Sequence, residues 1–149
     1  MKLRIFLLIG IVFYTHLNVF SETPVKGYTL TVEVEQLRSS QGVVQFALYN
    51  ENGTIPDEQF KKYYKIGKSD IVDGKSSFTF SDLPEDVYAI SIHHDENENG
   101  KIDKGLIKPK EGIGFSNYQS IGFSNRPNFS KASFELSNDK KVKIKIVYM

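Results

Sequence analysis

The sequence has 149 residues, of which 40% are hydrophobic, so its length and composition fit one domain with one core. Its formal net charge is +1, from 19 basic and 18 acidic residues, and no strong basic field favours binding to nucleic acid. The chain contains no cysteine. This excludes disulfide bonds, thiol catalysis and zinc–thiolate sites, so stability must come from the core or from a bound ion.

The first residues predict an export signal. Lys2 and Arg4 supply positive charge, and residues 5–14 form an unbroken apolar run that suits a signal peptide better than a membrane span. We therefore predict a signal peptide at residues 1–21 and a single domain at residues 22–149, with an uncleaved membrane anchor as the alternative. The predicted location is the periplasm, the outer surface or the medium, with no transmembrane span after cleavage.

From residue 28 onwards, apolar residues recur at every second position, which is the period of half-buried antiparallel strands. Turn signals separate these runs, and Asp73-Gly74 is a hairpin signal. About seven short strands with regular turns predict an all-β fold, an Ig-like or prealbumin-like antiparallel β-sandwich. The residues predicted to face inward are Tyr28, Leu30, Val32 and Val34, then Val44, Phe46 and Leu48, then Phe78 and Phe80, then Tyr88, Ile90 and Ile92, then Ala132, Phe134 and Leu136, and finally Val142, Ile144, Ile146 and Tyr148.

One helix is predicted, at residues 56–64. Pro56 suits the first turn of a helix, and Asp57 and Glu58 suit its amino end, where the helix dipole favours negative charge. The segment is short, so we expect it to be a connection packed on a sheet edge.

The segment HHDENENGKIDKG, residues 93–105, has the spacing of a calcium loop. Leu106 stands where an EF-hand needs its bidentate carboxylate, and the preceding segment is strand-like, so an EF-hand is excluded. The candidate is a calcium loop on a β scaffold, whose missing ligand would be Glu111, a carbonyl or water. The residues that match the loop positions are Asp95, Asn97, Asn99, Gly100, Lys101 (through its carbonyl) and Asp103.

The same segment has a second interpretation, in which no metal is involved. Asn99 and Gly100 would form a turn, and the side chains of Asp95 and Asn97 would accept hydrogen bonds from nearby backbone amides. A rise in the melting temperature with calcium would separate the two interpretations.

Two adjacent histidines precede this loop. Neighbouring residues of a strand point to opposite faces, so His93 and His94 cannot both face one ion. His94 is in phase with Ile90 and Ile92, which predicts an inward side chain with a hydrogen bond near the loop. His93 is predicted to be exposed on the other face. A transition-metal site with several histidines is therefore not expected.

The segment at residues 113–129 is rich in aromatic side chains. Phe115, Tyr118, Phe123 and Phe129 would make a flat surface for a carbohydrate or a partner protein. The alternative is that these side chains fill the core, where phenylalanine is most often found. Within this segment the pentapeptide IGFSN occurs twice, which predicts two similar strand ends or turns.

A catalytic function has little support in the sequence. Asp95, Asp103 and Glu111 would be the carboxylates of a hydrolase, but acids clustered near a turn more often bind water or metal. No serine lies in the motif of a nucleophile elbow. We therefore predict that the chain is not an enzyme.

Three motifs form one longer pattern: LPEDVYA at residues 83–89, HDENENGKID at residues 94–103 and PKEGIGFSN at residues 109–117. This pattern resembles the core of the bacterial DUF2141 family, whose members are exported proteins of unknown function. The resemblance covers nearly all of the chain after the predicted signal. The first motif also resembles transthyretin-like and carboxypeptidase-regulatory-like domains, which implies a sandwich and no particular activity.

The chain departs from this family pattern at three positions. Asp86 stands where the family usually has glycine, and aspartate tolerates a left-handed turn better than most residues. His93 replaces a phenylalanine or another apolar residue, and Gly105 replaces an asparagine, which weakens the loop if that asparagine binds anything. We expect the chain to be an exported binding or structural module whose envelope or extracellular partner is unknown. In the interpretation in which the loop binds calcium, the ion would stabilise the domain.

Overall fold

The computed structural model describes residues 27–106 and 109–149, so the predicted signal peptide lies outside the described residues. No helix of the described residues is long and apolar enough to cross a membrane. The described residues form eight strands and one short helix, which are β1 (Tyr28–Glu35), β2 (Val43–Tyr49), β3 (Lys65–Ser69), β4 (Ser76–Leu83), β5 (Asp86–Asp95), β6 (Gly112–Phe115), α1 (Phe129–Ala132), β7 (Phe134–Leu136) and β8 (Lys140–Lys145).

The strands form two sheets. The three-stranded sheet has the order β4-β1-β8, and the five-stranded sheet has the order β3-β2-β5-β6, with β7 paired to the first residues of β5. The predicted all-β sandwich is confirmed, with eight strands in place of about seven. Among the described strands, β1 and β8 form the one parallel pair. Parallel neighbours cannot be joined by a tight turn, and these two strands are the first and last that the structure describes.

The interior lies between the two sheets and follows the predicted period of two. Leu30, Val32 and Val34 alternate along β1 with more exposed residues, and all three are fully buried. Some residues predicted to face inward are only partly buried at the margin of this core. They are Tyr28, Phe78, Phe134, Val142 and Tyr148.

The outer face of the five-stranded sheet is also buried, and we call it the covered face. Gln45 and Ala47 on β2, and Ser91 and His93 on β5, point away from the interior and are at most 4% exposed. The segments that follow β2, β5 and β6 supply the apolar side chains that cover it. The apolar residues of this second core are Ala47, Tyr49, Ile55, Phe60, Ala89, Ile102, Ile113, Phe115, Tyr118, Phe129 and Ala132.

The helix predicted at residues 56–64 is wrong, because this segment consists of turns. Phe60 has a left-handed backbone with φ of +48°, which no right-handed helix contains. The carboxylate of Asp57 accepts hydrogen bonds from the backbone N–H groups of Lys61 and Lys62, both at 2.7 Å. A segment of this length gains too few helical hydrogen bonds to offset nucleation, and burial of Phe60 against the covered face decides its shape instead.

The predicted strand around Ala132 starts later than expected. Ala132 belongs to α1, and the strand runs only from Phe134 to Leu136. The side chain of Asn128 caps α1 by accepting the N–H of Lys131 at 2.9 Å. Ala132 is nevertheless buried, on the covered face.

The turn at Asp73-Gly74 is confirmed, but the flanking strands β3 and β4 do not form the hairpin that it signals. Both residues have positive φ, +50° and +70°, and Val72 and Lys75 exchange two backbone hydrogen bonds of 2.9 Å. The strands on either side of it, β3 and β4, lie in different sheets. The turn therefore carries the chain from one sheet to the other.

The two IGFSN copies differ in the structure. The first supplies most of β6 and the turn after it, where Asn117 has φ of +63°. The second contains a turn closed by backbone hydrogen bonds between Gly122 and Asn125. Both copies therefore contain a turn, as predicted, but only the first copy is a strand end.

Candidate cation site

The candidate site begins where β5 ends. His93 and Asp95 lie two residues apart, so both side chains project onto the covered face, and both are fully buried. The polar loop between β5 and β6 leads the chain back to the sheet. β2 pairs with one edge of β5, and β6 pairs with the opposite edge. The loop therefore starts and ends on adjacent strands, and this brings residues of its two ends together.

Asp95 folds the first half of the loop back onto the strand end. Its Oδ1 accepts the N–H of Asn99 at 3.0 Å, and its Oδ2 accepts the N–H of Gly100 at 2.8 Å. Gly100 has φ of +77°, a conformation that favours glycine. The ammonium of Lys68 lies 3.7 Å from Oδ2. These bonds confirm that the segment is an Asx-stabilised turn.

The side chains of Asn97 and Asn99 hydrogen-bond to Asp103. The Nδ2 of Asn97 donates to Asp103 Oδ2 at 2.7 Å, and Asn97 Oδ1 accepts the N–H of Asn99 at 3.1 Å. Asn99 Oδ1 accepts the N–H of Lys101 at 2.9 Å. Hydrogen bonds from Asn97 and then Asn99 lower the pKa of the Asp103 carboxyl. That carboxyl is therefore an anion at neutral pH, which suits a cation ligand and not a general acid.

Glu111 connects the two ends of the loop. Its Oε1 accepts the N–H of Glu96 at 3.1 Å, and its Oε2 accepts the N–H of Asp103 at 3.1 Å. The same Oε2 lies 2.8 Å from Nε2 of His93, and the Glu111 residue is only 4% exposed. The sequence proposed Glu111 as the ligand missing at position twelve, and the structure brings its carboxylate to the loop. Leu106, which occupies that position, is fully exposed.

The prediction that His93 is exposed is wrong. The ring is fully buried and stacks on Phe60, with ring centroids 5.6 Å apart and an angle of 21° between the planes. The phase of the strand gives the correct face, but the segment after β2 covers that face. One sequence signal pointed to burial, because the related family has an apolar residue at the position of His93.

Three buried side chains form a potential metal site. His93, Asp95 and Glu111 each offer one ligand atom, and these three atoms lie within 4.8 Å of one another. The sequence placed Asp95 and Glu111 among the candidate ligands but left His93 out. The structure therefore adds a nitrogen ligand to a set that the sequence described as oxygen only.

His94 has the structural position that the sequence predicts. Its Nε2 lies 2.9 Å from the carbonyl oxygen of Gln41, so Nε2 carries the hydrogen and donates it. Nδ1 then accepts from the hydroxyl of Tyr148 at 2.7 Å. The N–H of Arg38 donates to that hydroxyl oxygen at 3.1 Å, and burial raises the pKa of Tyr148. His94 thus links β5 to the C-terminal segment and takes no part in the candidate site.

The aromatic segment mainly fills the covered face. Phe115, Tyr118 and Phe129 are at most 9% exposed, whereas Phe123 is 76% exposed. The Tyr118 hydroxyl donates to the carbonyl oxygen of Arg126 and accepts the N–H of Asn128, both at 3.1 Å. Three of the four residues named as a recognition surface are therefore packed inside, in agreement with the core-filling alternative.

The fold and the loop define a class of protein: a two-sheet β-sandwich that carries an Asx-rich loop and a buried acid–histidine cluster at the end of a central strand. The model of a family described as an uncharacterised protein conserved in bacteria, DUF2141, matches residues 32–145. The chain belongs to this family. No curated protein matches the chain. No solved structure matches it either.

Proposed function

We propose that the chain is an exported β-sandwich module with a binding or structural role in the bacterial envelope or outside the cell, and that calcium bound at its polar loop stabilises it. The positive residues Lys2 and Arg4 and the apolar run at residues 5–14 support export. The near-neutral charge gives no reason to expect nucleic acid as a partner.

The observation that carries the calcium proposal is the position of Glu111. Its carboxylate accepts backbone N–H groups from Glu96 and Asp103, one at each end of the loop. A carboxylate at this position can complete the ligand set, whose first member along the chain is Asp95. Asp95 and Glu111 are 16 positions apart in the sequence. Without the Glu111 carboxylate the loop would have too few charged ligands for a calcium ion.

The number and charge of the ligands fit a weak extracellular type of calcium site. Calcium binds six to eight oxygen atoms, and the proposed set offers six. An oxygen that accepts one N–H keeps a second lone pair, so the hydrogen bonds of Asp95 do not prevent it from binding an ion. Three of the six ligands are neutral, namely two side-chain amides and one backbone carbonyl, so we expect a Kd of about 0.1 to 1 mM. The proposed ligands are the side chains of Asp95, Asn97, Asn99, Asp103 and Glu111 and the carbonyl of Lys101.

Calcium-dependent melting of the purified protein tests this proposal. At about ten times the Kd, binding should add about 1.4 kcal/mol to the free energy of unfolding, which raises the melting temperature by a few degrees. Asp95→Ala and the milder Asp103→Asn should each abolish the rise. Glu98→Gln is the matched control, because Glu98 is exposed in the same loop, and this variant should respond like the wild type. A flat response of the wild type to millimolar calcium would remove the proposal.

A further inference from the structure

The covered face has a polar centre on three neighbouring strands. Gln45 of β2 pairs with Lys68 of β3 on one side and with His93 of β5 on the other. Residues paired in this way project onto the same face, with Cβ atoms about 4.5–5.5 Å apart in an antiparallel sheet. Asp95 follows His93 on the same face, and the ammonium of Lys68 reaches it. Gln45 therefore lies between the lysine and the acid–histidine cluster.

Two buried atoms in this centre have no hydrogen-bond partner among the described residues: Nε2 of Gln45 and Nδ1 of His93. Gln45 is 2% exposed and His93 is fully buried, so bulk water does not reach these side chains. Buried polar atoms are nearly always paired in folded proteins, and an unpaired one calls for an explanation such as an ion. The unpaired atoms belong to two residues that are direct neighbours across the sheet.

The hydrogen-bond partner of His93 determines where its proton lies. Nε2 faces a carboxylate oxygen of Glu111, which can only accept, so Nε2 carries the hydrogen. In the neutral ring Nδ1 then has a free lone pair. When a metal ion takes the place of the Nε2 hydrogen, the ring stays neutral because this same hydrogen is transferred to Nδ1. This is the usual state of a metal-binding histidine, which donates its second N–H to a neighbouring acceptor.

We propose that His93, Asp95 and Glu111 bind a divalent transition-metal ion of the zinc class. The inference rests on the proposed function in one respect, because the calcium proposal and this one both use Asp95 and Glu111 as cation ligands. The ion differs because imidazole nitrogen is a preferred ligand of zinc, whereas calcium prefers oxygen. Binding places the ion between Nε2 and the carboxylates, and the single ring proton passes from Nε2 to Nδ1, so no net proton is released. The two carboxylates neutralise the two positive charges of the buried ion.

The geometry needs modest shifts in both directions: the 2.8 Å between His93 Nε2 and Glu111 Oε2 must lengthen, and the longer separations must shorten. Ligand atoms around a tetrahedral zinc ion, with bonds of about 2.0–2.2 Å, lie about 3.3–3.6 Å apart. The three candidate atoms lie within 4.8 Å of one another.

Gln45 is a positioning residue in the metal-bound state, because its amide oxygen, turned toward the ring of His93, accepts the Nδ1 hydrogen. The amide nitrogen and oxygen of Gln45 are interchangeable by rotation about its last side-chain bond.

Lys68 opposes this binding. Its ammonium lies 3.7 Å from Asp95 Oδ2, and its side chain is 46% exposed, so it can withdraw into water when the ion enters. Lys68→Gln should therefore tighten metal binding, by roughly threefold to tenfold for a screened charge at this distance.

Calorimetric titration of zinc chloride into the purified, chelator-treated protein tests the proposal. The wild type should bind one ion without net proton release, so the heat of binding, corrected for dilution, should not depend on the ionisation heat of the buffer. His93→Gln should weaken binding at least about 100-fold, and Gln45→Leu should weaken it about tenfold, as expected for a group that orients a ligand. His94→Gln is the matched control, because it removes the adjacent imidazole on the opposite face, and it should bind zinc like the wild type.

The variants separate this inference from the calcium proposal. Asp103→Asn should lose the calcium response and keep zinc binding, whereas His93→Gln should lose zinc binding and keep the calcium response. Calcium should weaken zinc binding in the wild type, since both ions use Asp95 and Glu111. A wild type that binds no zinc, or a His93→Gln variant that binds it equally well, would overturn the inference and leave the calcium proposal standing. A flat calcium response with intact zinc binding would remove only the calcium proposal.

A measurement on the wild type alone covers the case in which His93→Gln does not fold. Nitrogen-15 chemical shifts of the histidine rings report directly which nitrogen binds the metal. Addition of zinc should shift the Nε2 resonance of His93 and leave both nitrogens of His94 unchanged. Unchanged His93 resonances at saturating zinc would overturn the inference.

Discussion

The two faces of the five-stranded sheet differ in what they bury. The face toward the interior packs aliphatic and aromatic side chains such as Phe46 and Ile92 against the three-stranded sheet. The covered face also buries apolar residues, but at its centre it holds His93, Asp95 and Glu111. Burial of apolar surface stabilises a fold without regard to direction, whereas a buried charge must find specific partners. The interior therefore accounts for the fold, and the covered face carries the candidate cation site.

The partners on the covered face come mainly from loops. The carboxylates of Asp95 and Glu111 are satisfied by backbone amides of the polar loop and by His93. Ser116 supplies a second example, since its hydroxyl donates to the carbonyl oxygen of Ala132 at 2.6 Å and accepts the N–H of Ile90 at 2.9 Å. Such contacts bind the covering segments to the sheet. We therefore expect single substitutions on this face to change both stability and the proposed ion binding.

The largest expected effect is in the interior. Phe46 is fully buried and stacks on Phe78, with ring centroids 5.9 Å apart. Phe46→Ala removes this contact and leaves a cavity, so we expect a loss of about 4 kcal/mol in the free energy of unfolding, measured by urea denaturation. Phe123→Ala is the matched control at an exposed site, and it should change stability by less than about 0.5 kcal/mol. Similar losses in the two variants would contradict the assignment of the interior.

A smaller loss is expected on the covered face. Glu111→Gln keeps the side-chain volume but weakens the hydrogen bonds from His93, Glu96 and Asp103, because a neutral amide replaces a carboxylate. We expect a loss of about 2 kcal/mol in metal-free buffer, measured by urea denaturation. Glu98→Gln makes the same change at an exposed position of the loop and should be nearly neutral. If both variants were equally stable, Glu111 would not hold the loop to the sheet.

The smallest expected effect depends on pH. The hydrogen bond from Arg38, together with one from Ser39, lowers the pKa of the Glu96 carboxyl below its ordinary value of 4.5. A lowered folded pKa means that this carboxyl adds stability above about pH 4.5, and the contribution disappears as the pH falls through the folded pKa. We expect Glu96→Gln to lose less than about 1 kcal/mol at neutral pH, because the pair is partly exposed.

Urea denaturation of the wild type and Glu96→Gln at pH 7 and at pH 3 checks this sign. The difference between the two proteins should shrink at the lower pH, where the wild-type carboxyl is increasingly protonated. A difference that grows toward low pH would contradict the expected direction of the pKa shift.

Much of the fold was predictable because strand alternation is a local signal. The inward phase of Leu30, Phe46 and Ile90 was correct, and so was the turn at Asp73-Gly74. The helix at residues 56–64 was wrong, since tertiary burial of Phe60 outweighs the weak helical preference of so short a segment. The pairing of β1 with β8 joins the two ends of the domain, and no local pattern contains that information.

The candidate site likewise has one part that the local sequence determines and one part that depends on the tertiary structure. The hydrogen bonds of Asp95 to Asn99 and Gly100 span four and five residues, so the sequence determines them through the chemistry of one loop. The bond between His93 and Glu111 spans 18 residues and exists only because β6 returns beside β5. Alternation along a strand specifies which of two faces a side chain occupies, but it does not specify whether another segment covers that face. Strand alternation therefore left the burial of His93 to the tertiary structure, which also placed it against the carboxylates that the sequence had already selected.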